Sequence, residues 1–422
     1  MSFDIVSVIG LGYIGLPTAA VLAERGATVV GVDVNTRAVE TVNRGEIHIV
    51  EPLLDLTVKA AVTSGRLRAV TSPVAADAFL IAVPTPITAD KKADMSFVGA
   101  AADAIAPVLK PGDLIILEST SPVGSTEALA ARLSEARKDL RFPKRGDKGD
   151  EVDVHVAYCP ERVLPGRVVE ELVTNDRAIG GLTPACTARA IELYSLFVEG
   201  ELVPTDARAA ELCKLAENAF RDVNIAYANE LANVCDNLDI DVWEVIDLAN
   251  RHPRVNILKP GPGVGGHCIA VDPWFIAEAA PEQTPLIQAA RRVNDGRPDR
   301  VVDLILSKAR HLQEASGEKP TIALLGLAFK ADIDDLRESP ACDVARMVAR
   351  SDAGRVLVVE PNIQSLPMTL ATESVSLVSL DEALGSGVVV LLVDHQEFRR
   401  ARIEDLKKNV LVDTRGLWRE QR

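Results

Sequence analysis

Residues 4–17 read DIVSVIGLGYIGLP, and this stretch decides the fold. Its first six residues have the apolar character of a short buried strand, which is followed by glycines at positions 10, 12 and 15. A helical pattern follows in LPTAAVLAERG, and TVVGVDV at 28–34 predicts a second strand that ends near Asp33. A strand, a glycine turn, a helix and a strand in this order predict a parallel, doubly wound α/β sheet.

The glycines and Asp33 also predict a dinucleotide site. The pattern GxGxxG alone is a weak signal, but here it follows a strand, opens a helix and has an acid at the end of the next strand. Gly10 and Gly12 would let the backbone approach a pyrophosphate at the helix N-terminus. Asp33 would accept hydrogen bonds from the adenosine ribose and repel a 2′-phosphate, which favours NAD over NADP. A tight turn without a ligand is the alternative.

The rest of the chain predicts further α/β structure. Strand patterns in AFLIAVPTP, DLIILESTS and VAYCPE continue the first sheet, and the charged stretch at 137–153 predicts a solvated surface loop. From Thr205 to about Asn250 the pattern is continuously helical. TIALLGLAF, RVLVVEP, VVVLLVD and NVLVDTRG predict a second open sheet. We therefore expect an α/β protein with two Rossmann-like open sheets joined by a long helical spine, divided into domains at 1–204, 205–310 and 318–422.

The composition argues against several classes of protein. The 422 residues are 47% hydrophobic and 25% charged, as in an ordinary globular protein, and their formal net charge is −15. This acidic balance disfavours nucleic acid or an anionic membrane as a partner. No apolar run approaches the roughly 18 residues that span a bilayer, and the N-terminus lacks the pattern of a signal peptide. The six cysteines are dispersed without a CxxC pair, which predicts a cytoplasmic protein.

A glycine-rich loop at 261–274, GPGVGGHCIAVDPW, predicts a reactive thiol at Cys268. Only the thiolate attacks, and an ordinary cysteine with a pKa of about 8.5 is mostly protonated in the cytoplasm. Backbone N–H groups at a helix start would lower that pKa. If IAVD forms a helical turn, Cys268 and Asp272 lie on one face. A buried inert cysteine is the alternative, and a metal site with His267 is disfavoured because no further His or Cys has ligand spacing.

Two further sets of polar residues suggest binding or catalysis. Lys214, Asn218 and Arg221, at i, i+4 and i+7, would align an ammonium, an amide and a guanidinium along one helix. Glu161 in YCPERVLPG follows a strand, where an α/β sheet presents catalytic groups. Local basic clusters predict phosphate or carboxylate binding by Arg251, His252, Arg254, Lys330 and Arg337. A solvated charged surface is the alternative for these sets.

Taken together, these motifs resemble the nucleotide-sugar 6-dehydrogenases, the family of the UDP-glucose and GDP-mannose dehydrogenases. The resemblance covers nearly the whole chain, in order, through GLGYIG, VPTP, ESTSPVGST, CPERVLPG, KLAENAFR, GVGGHC and LAFKADIDDLRESP. It implies a four-electron oxidation of the sugar C6 with two NAD, through a thiohemiacetal and a thioester on Cys268. It also implies a C-terminal domain that binds UDP and a product that serves surface polysaccharide synthesis.

The resemblance implies roles for individual residues of this sequence. Catalytic roles fall on Cys268, Lys214, Asp272, Asn218 and Glu161. The cofactor positions are Gly10, Gly12, Tyr13, Ile14, Gly15, Asp33, Thr85, Thr126 and Arg337. The nucleotide-sugar positions are Arg162, Val163, Lys214, Asn218, Arg221, Gly265, Phe329 and Lys330, with His252 and Arg254 reaching in from a neighbouring subunit. The last two residues imply a homodimer with shared active sites.

Within the family, the stretch NRHPRVNILKPGPGVGGHCIAVDPWF resembles that of the members that act on UDP-N-acetyl-D-mannosamine, and this resemblance implies the same substrate. UDP-N-acetyl-D-glucosamine is the first alternative, and a non-catalytic regulator that binds NAD and a nucleotide-sugar is the second. One departure is Pro165, where UDP-glucose members commonly carry a second glutamate. Hydrolysis of the thioester must then rely on Glu161, Asp272 or bound water.

Overall fold

The computed structural model describes residues 3–147, 152–164, 166–401, 406 and 408–419. Pro165, and residues 148–151 of the predicted charged loop, lie outside these described residues. Contacts divide the chain into two compact units, Met1–Glu217 with Glu278–Ala280, and Asn218–Ala277 with Pro281–Arg422. The division into three domains stays a prediction.

The first unit contains an eight-stranded sheet. Its strands are β1 (Ile5–Ile9), β2 (Thr28–Val32), β3 (Leu67–Val70), β4 (Ala78–Ile81), β5 (Leu114–Leu117), β6 (His155–Tyr158), β7 (Arg177–Gly181) and β8 (Leu202–Asp206). Their spatial order is β3-β2-β1-β4-β5-β6-β7-β8. Neighbouring strands are parallel except β6 and β7, which are antiparallel.

Helices bury both faces of this sheet. They are α1 (Gly15–Glu24), α2 (Thr36–Asn43), α3 (Leu54–Thr63), α4 (Ser96–Ile105), α5 (Ser125–Ala136), α6 (Val168–Thr174) and α7 (Pro184–Tyr194), with a 3₁₀ turn at Ala106–Val108. Side chains from α1, α2, α3, α6 and α7 form one hydrophobic core, and those from α4 and α5 form the other. Because both faces are covered, central strands such as AFLI and LIIL are continuously apolar rather than alternating.

The strand order reverses next to β1, with β2 on one side and β4 on the other. In an open α/β sheet such a reversal forms a crevice at the carboxyl ends of the strands, where ligands bind. Gly10 follows β1 directly, with φ +95°, and its N–H donates to the Val32 carbonyl at 2.8 Å. A Cβ atom on Gly10 would lie 2.6 Å from the carbonyl oxygen of Ala82, so the turn requires glycine at this point.

The predicted helical spine begins as α8 (Ala207–Leu238), and the prediction of continuous helix to about Asn250 was wrong. Asp239 adopts a left-handed conformation with φ +55°, and the N–H of Ile240 bonds back to the Cys235 carbonyl at 2.9 Å, a C-terminal capping arrangement. A separate helix, α9 (Val242–Ala249), then begins behind Asp241, whose side chain accepts from the Trp243 N–H. The acidic residues in NLDID are therefore helix-ending and helix-starting signals.

The second unit contains a five-stranded parallel sheet with strands β9 (Ile322–Leu325), β10 (Val356–Val359), β11 (Val375–Leu377), β12 (Val388–Leu391) and β13 (Val410–Asp413). Their order is β11-β10-β9-β12-β13, so the order reverses again, here next to β9. The other helices are α10 (Asp272–Ala279), α11 (Pro285–Asp295), α12 (Arg297–Ser316), α13 (Pro340–Arg350) and α14 (Leu380–Ala383), with 3₁₀ turns at Pro281–Gln283 and Gln396–Arg400.

These elements confirm the predicted α/β class with two Rossmann-like open sheets. The sequence patterns did not reveal β3, β7, β8 and β11, and three of these are edge strands. Edge strands need not be apolar on both faces: β3 reads LRAV, and β8 contains Pro204, which an edge strand tolerates. Within the described ranges, no helix combines the length and the apolar character needed to cross a membrane.

We predict that Gly10→Ala destabilises the protein more than Gly112→Ala. Both glycines have positive φ, +95° and +93°, so both substitutions carry left-handed strain of about 1–2 kcal/mol. Only Gly10 adds a clash with backbone, since nothing lies within 4 Å of a Cβ at Gly112. Urea unfolding followed by circular dichroism should show a further loss of about 1–3 kcal/mol for Gly10→Ala. Equal losses for the two variants would contradict the packing assigned to Gly10.

Candidate active site

The turn between β1 and α1 has the geometry of a pyrophosphate site. A Cβ atom on Gly15 would lie 1.8 Å from the Gly10 carbonyl oxygen, so the first turn of α1 packs directly on the glycine turn. Between these glycines, Gly12 and Tyr13 are exposed and Ile14 is half-buried. The free N–H groups at the start of α1 are available to an anion, and nothing lies within 4 Å of a Cβ at Gly12.

Asp33 lies at the end of β2, where the fingerprint places the acid that binds ribose. Its Oδ2 accepts from the Leu11 N–H at 2.9 Å, and its Oδ1 accepts from the Asn35 N–H at 2.8 Å. The side chain is half-buried, so its remaining lone pairs face outward from a fixed position. The turn and this carboxylate together fit the adenosine and pyrophosphate parts of NAD.

The two threonines predicted to contact the cofactor are held by protein groups. Thr85 Oγ1 donates to the Thr120 carbonyl at 2.6 Å, which ties the segments after β4 and β5 together. Thr126 is buried, and its hydroxyl donates to Glu211 at 2.6 Å. Glu211 also accepts from the backbone N–H groups of Thr126 and Gly124, so its carboxylate covers the N-terminus of α5. The sequence patterns gave no signal for Glu211.

Glu161, a predicted catalytic residue, is buried at the end of the segment after β6. Its Oε1 accepts from the N–H groups of Arg162 and Val163 at 2.6 and 2.9 Å. Its Oε2 accepts from Arg177 Nη1 at 2.9 Å, in an ion pair with both side chains almost fully buried. Arg162, a predicted substrate residue, is itself paired with Glu217 at 2.7 Å. Glu161 is therefore an anchored carboxylate rather than one that is open to solvent.

A second buried carboxyl group, Glu118, lies in the same cluster and was not identified from sequence. Its Oε1 accepts from the Tyr194 hydroxyl at 2.5 Å, and its Oε2 has no hydrogen-bond partner among the described residues. Burial, with repulsion from Glu161, raises the pKa of Glu118 to about 7, although Tyr194 and Arg177 oppose the shift. Burial also raises the pKa of Cys159 to about 12, which makes this thiol inert.

Cys268 lies on the exposed side of the predicted turn. The N–H of Asp272 donates to the Cys268 carbonyl at 2.9 Å, and the Val271 N–H donates to the same oxygen at 3.0 Å. This is the helical turn expected from IAVD, although helix α10 begins at Asp272 and not at the cysteine. The thiol therefore precedes the helix by one turn.

The Asp272 side chain is bound to α8. Asp272 is 2% exposed, and its Oδ2 accepts from Asn218 Nδ2 at 2.6 Å. The structure thus brings together two of the predicted catalytic residues, on either side of a short hydrogen bond. Lys214, half-buried, lies one helical turn before Asn218, and Arg221 is exposed three residues after it.

The glycines before Cys268 allow close packing against the segment after β9. A Cβ atom on Gly265 would lie 2.4 Å from the Glu338 carbonyl oxygen, and one on Gly266 would lie 2.9 Å from the Phe329 ring. The Gly266 N–H also donates to the Glu338 carbonyl at 3.3 Å. Glycine at these two positions therefore lets the loop pack closely against the segment after β9.

The remaining predicted site residues are mostly exposed. Lys330 extends into solvent beside half-buried Phe329. Arg337, a predicted cofactor residue, forms a two-pronged ion pair with Asp335 at 2.8 and 2.7 Å. His252 and Arg254 lie in the exposed turn after α9, where His252 Nδ1 accepts from the Arg254 N–H at 3.4 Å.

Comparison with known proteins matches three models of one family. Residues 4–198 match the NAD binding domain of the UDP-glucose/GDP-mannose dehydrogenase family, residues 208–296 its central domain, and residues 323–420 its UDP binding domain. The UDP-N-acetyl-D-mannosamine dehydrogenase of Yersinia pestis is 60% identical over 99% of this chain and 100% of its own. The NDP-N-acetyl-D-galactosaminuronic acid dehydrogenase of Ralstonia solanacearum is 59% identical over 100% of this chain and 98% of its own. The solved structure of UDP-D-ManNAc dehydrogenase from Pyrococcus horikoshii superposes with a TM-score of 0.86 at 37% identity, covering 98% of this chain and 96% of that one.

We predict that Glu118→Gln stabilises the protein selectively at high pH. Because the folded-state pKa of about 7 lies above the ordinary value of 4.5, folding favours the protonated form, and the free energy of unfolding falls as pH rises between these values. Glutamine stays neutral and still accepts from Tyr194. Urea unfolding should show a gain of about 1–3 kcal/mol at pH 8 and little gain at pH 4.5.

The exposed carboxylate Glu170 provides the control for this measurement. Its pKa is lowered by the hydrogen bond from Arg167, so Glu170→Gln should give no gain at pH 8. A difference between Glu118→Gln and the wild type that does not change with pH would show that folding does not raise the pKa of Glu118.

Proposed function

Because this chain belongs to the UDP-glucose/GDP-mannose dehydrogenase family, with NAD as its cofactor, we propose that it oxidises UDP-N-acetyl-D-mannosamine to the mannosaminuronate. The family membership confirms the resemblance found in the motifs. The observation that carries the proposal is the turn at Cys268, in which an exposed cysteine lies one helical turn before a buried carboxylate bound to Asn218. The dispersed cysteines favour a reducing cytoplasm as the place of this reaction.

The proposed reaction removes four electrons from C6. The 10–15 turn and Asp33 would hold NAD, which would supply the hydride acceptor for both oxidations. The hydroxyl proton of the C6 alcohol leaves to water positioned by Asp272, while Lys214 and Asn218 stabilise the developing oxyanion. The Cys268 thiolate adds to the carbonyl carbon of the aldehyde, and its oxygen takes up a proton to give the thiohemiacetal. Loss of the second hydride and of the hydroxyl proton then gives the thioester.

Hydrolysis completes the cycle. Water attacks the thioester carbonyl, the C–S bond breaks, and the thiolate leaves as the uronate forms. Asp272 and Glu161 are the candidates that position this water. The anchoring of Glu161 by Arg177 and by its own loop favours a role in orientation, because both of its oxygens already accept hydrogen bonds.

The stereochemistry of the sugar is the point on which relatives differ. One relative at 59% identity carries a name for an N-acetylgalactosamine-derived product, which makes UDP-N-acetyl-D-galactosamine a second candidate. UDP-N-acetyl-D-glucosamine is the third, since it differs from the manno sugar only at C2. A non-catalytic regulator is disfavoured, because such a protein would have no use for the thiol.

We predict that the purified protein, given NAD and one UDP-sugar at a time, produces two NADH for each UDP-N-acetyl-D-mannosamine consumed. Sites that hydrogen-bond a hydroxyl or amide discriminate strongly, so kcat/KM for this sugar should exceed that for the gluco and galacto sugars by on the order of 100-fold. Absorbance of NADH gives the rates. Higher activity on the galacto or gluco sugar would overturn the substrate, and no oxidation of any sugar would overturn the function.

We propose further that the chain acts as a homodimer through α8. Apolar residues spaced seven or four positions apart form a stripe along this helix, and their side chains are exposed to solvent. Its first members, Phe220 and Tyr227, are 68% and 55% exposed, and Val234 and Leu238 continue it. A contiguous apolar stripe of this kind marks a protein interface, and we infer that a second copy covers it and receives His252 and Arg254.

The double variant Phe220→Glu/Tyr227→Glu should be monomeric, because burying two carboxylates in an interface is unfavourable. Light scattering after size-exclusion chromatography measures the mass, and the same sample should lose most of its activity if His252 and Arg254 act across the interface. Met368→Glu is the control. Met368 is an apolar residue of the second unit that is 93% exposed and lies outside α8, so this variant should remain dimeric. A dimeric double variant would contradict the role of α8.

A further inference from the structure

A buried acid and a buried histidine lie at the carboxyl ends of the second sheet, outside the residues assigned to the reaction. Glu360 follows β10 and is 3% exposed, and His395 lies shortly after β12 and is 1% exposed. Glu360 Oε2 accepts from the N–H groups of Leu327 and Ala328 at 2.7 and 3.0 Å, and it lies 3.1 Å from His395 Nε2. Glu360 Oε1 accepts from Asn362, through its backbone N–H and its side-chain amide, at 3.2 and 3.3 Å.

Glu360 occupies the place in the second sheet that Asp33 occupies in the first. Gly326 follows β9 with φ +94°, as Gly10 follows β1 with φ +95°. In each case the next N–H donates to the acid at the end of the neighbouring strand, from Leu11 to Asp33 and from Leu327 to Glu360. The two acids differ in their accessibility to a ligand. Asp33 is half-buried, whereas Glu360 is buried and surrounded by protein groups.

His395 binds the other end of the segment that follows β9, at residue 332. Its Nδ1 accepts from the Asp332 N–H at 2.9 Å, so the ring proton lies on Nε2 and is donated to Glu360. Asp332 has φ +62°, and its carboxylate accepts from the Gln396 N–H at 2.9 Å. The ring also packs edge-on against Phe398, with centroids 5.3 Å apart, which fixes its orientation.

The pair therefore holds both ends of one short segment. Glu360 binds the amides of residues 327 and 328, His395 binds the amide of residue 332, and Phe329 and Lys330 lie between them. Burial alone raises the pKa of Glu360, but hydrogen bonds from His395 and the two amides bring it below its ordinary value. A charged carboxylate with all these donors is a rigid anchor.

We propose that Glu360 and His395 are positioning residues that hold the 326–332 segment in the conformation that binds the UDP part of the substrate. This inference rests on the proposed function, in which Phe329 and Lys330 contact the nucleotide-sugar. Neither residue touches the ligand in this proposal. The carboxylate that would otherwise bind a ribose is instead used to preorganise the backbone that does the binding.

The test compares UDP binding with NAD binding in the same full-length variants. Glu360→Gln loses the charge and turns an amide N–H towards Asn362, and His395→Asn keeps an acceptor near Asp332 but loses the bond to Glu360. Isothermal titration calorimetry with UDP should show about tenfold weaker binding for each, because a buried donor loses its partner. KM for the UDP-sugar should rise in parallel, and NAD affinity should stay within about twofold.

Two controls separate positioning from general stability. Thr414→Val removes a buried hydrogen bond of 2.7 Å to the Leu391 carbonyl in the same sheet. This bond does not involve the 326–332 segment, so its loss should lower stability without weakening UDP binding. His395→Gln keeps a donor to Glu360 and should recover part of the UDP affinity that His395→Asn loses. If His395→Asn does not fold, Glu360→Gln alone carries the test.

Unchanged UDP affinity in folded Glu360→Gln and His395→Asn would overturn the proposal, as would an equal loss in Thr414→Val. Wild-type protein that binds UDP but oxidises no sugar would overturn the proposed function alone. Wild-type protein that does not bind UDP would overturn this inference together with the UDP assignment.

Discussion

The hydrogen bond of 2.6 Å from Asn218 Nδ2 to Asp272 Oδ2 is the contact on which the cysteine site depends. A carboxylate that is 2% exposed must be bound by donors, because an unpaired buried charge is strongly unfavourable. Asp272 also closes the turn through its own N–H, which donates to the Cys268 carbonyl at 2.9 Å. One residue thus joins α8 to the turn and sets where the exposed thiol can lie.

The two sheets use one motif for two purposes. Each begins with a strand, a glycine in the left-handed region and an acid that accepts from the N–H after that glycine. At Asp33 the acid keeps free lone pairs beside the turn that fits NAD. At Glu360 the extra methylene lets the carboxylate reach a second amide and His395, so the same position becomes internal structure.

The sequence predicted what local pattern and spacing control. The strand and glycine periodicity of residues 4–34 gave the first α/β unit, and the spacing of Cys268 and Asp272 gave their shared turn. Local patterns could not reveal the roles of Glu211, Arg177 and Glu118, because each binds a partner outside its own sequence motif. Arg177 pairs with Glu161, and Glu118 accepts a hydrogen bond from Tyr194. The packing role of Gly265 was also missed, since it depends on a carbonyl at residue 338.

The central claim is that a covalent intermediate forms on Cys268, and mass spectrometry of quenched protein tests it most directly. Glu161→Gln protein, in which hydrolysis should be slow, is mixed with NAD and UDP-N-acetyl-D-mannosamine, quenched in acid and digested, with a Cys268→Ala/Glu161→Gln double variant treated in parallel. The account predicts an acyl adduct on the peptide that carries Cys268 and none in the double variant. Uronate formation by Cys268→Ala at the wild-type rate, or an adduct on another residue, would contradict it.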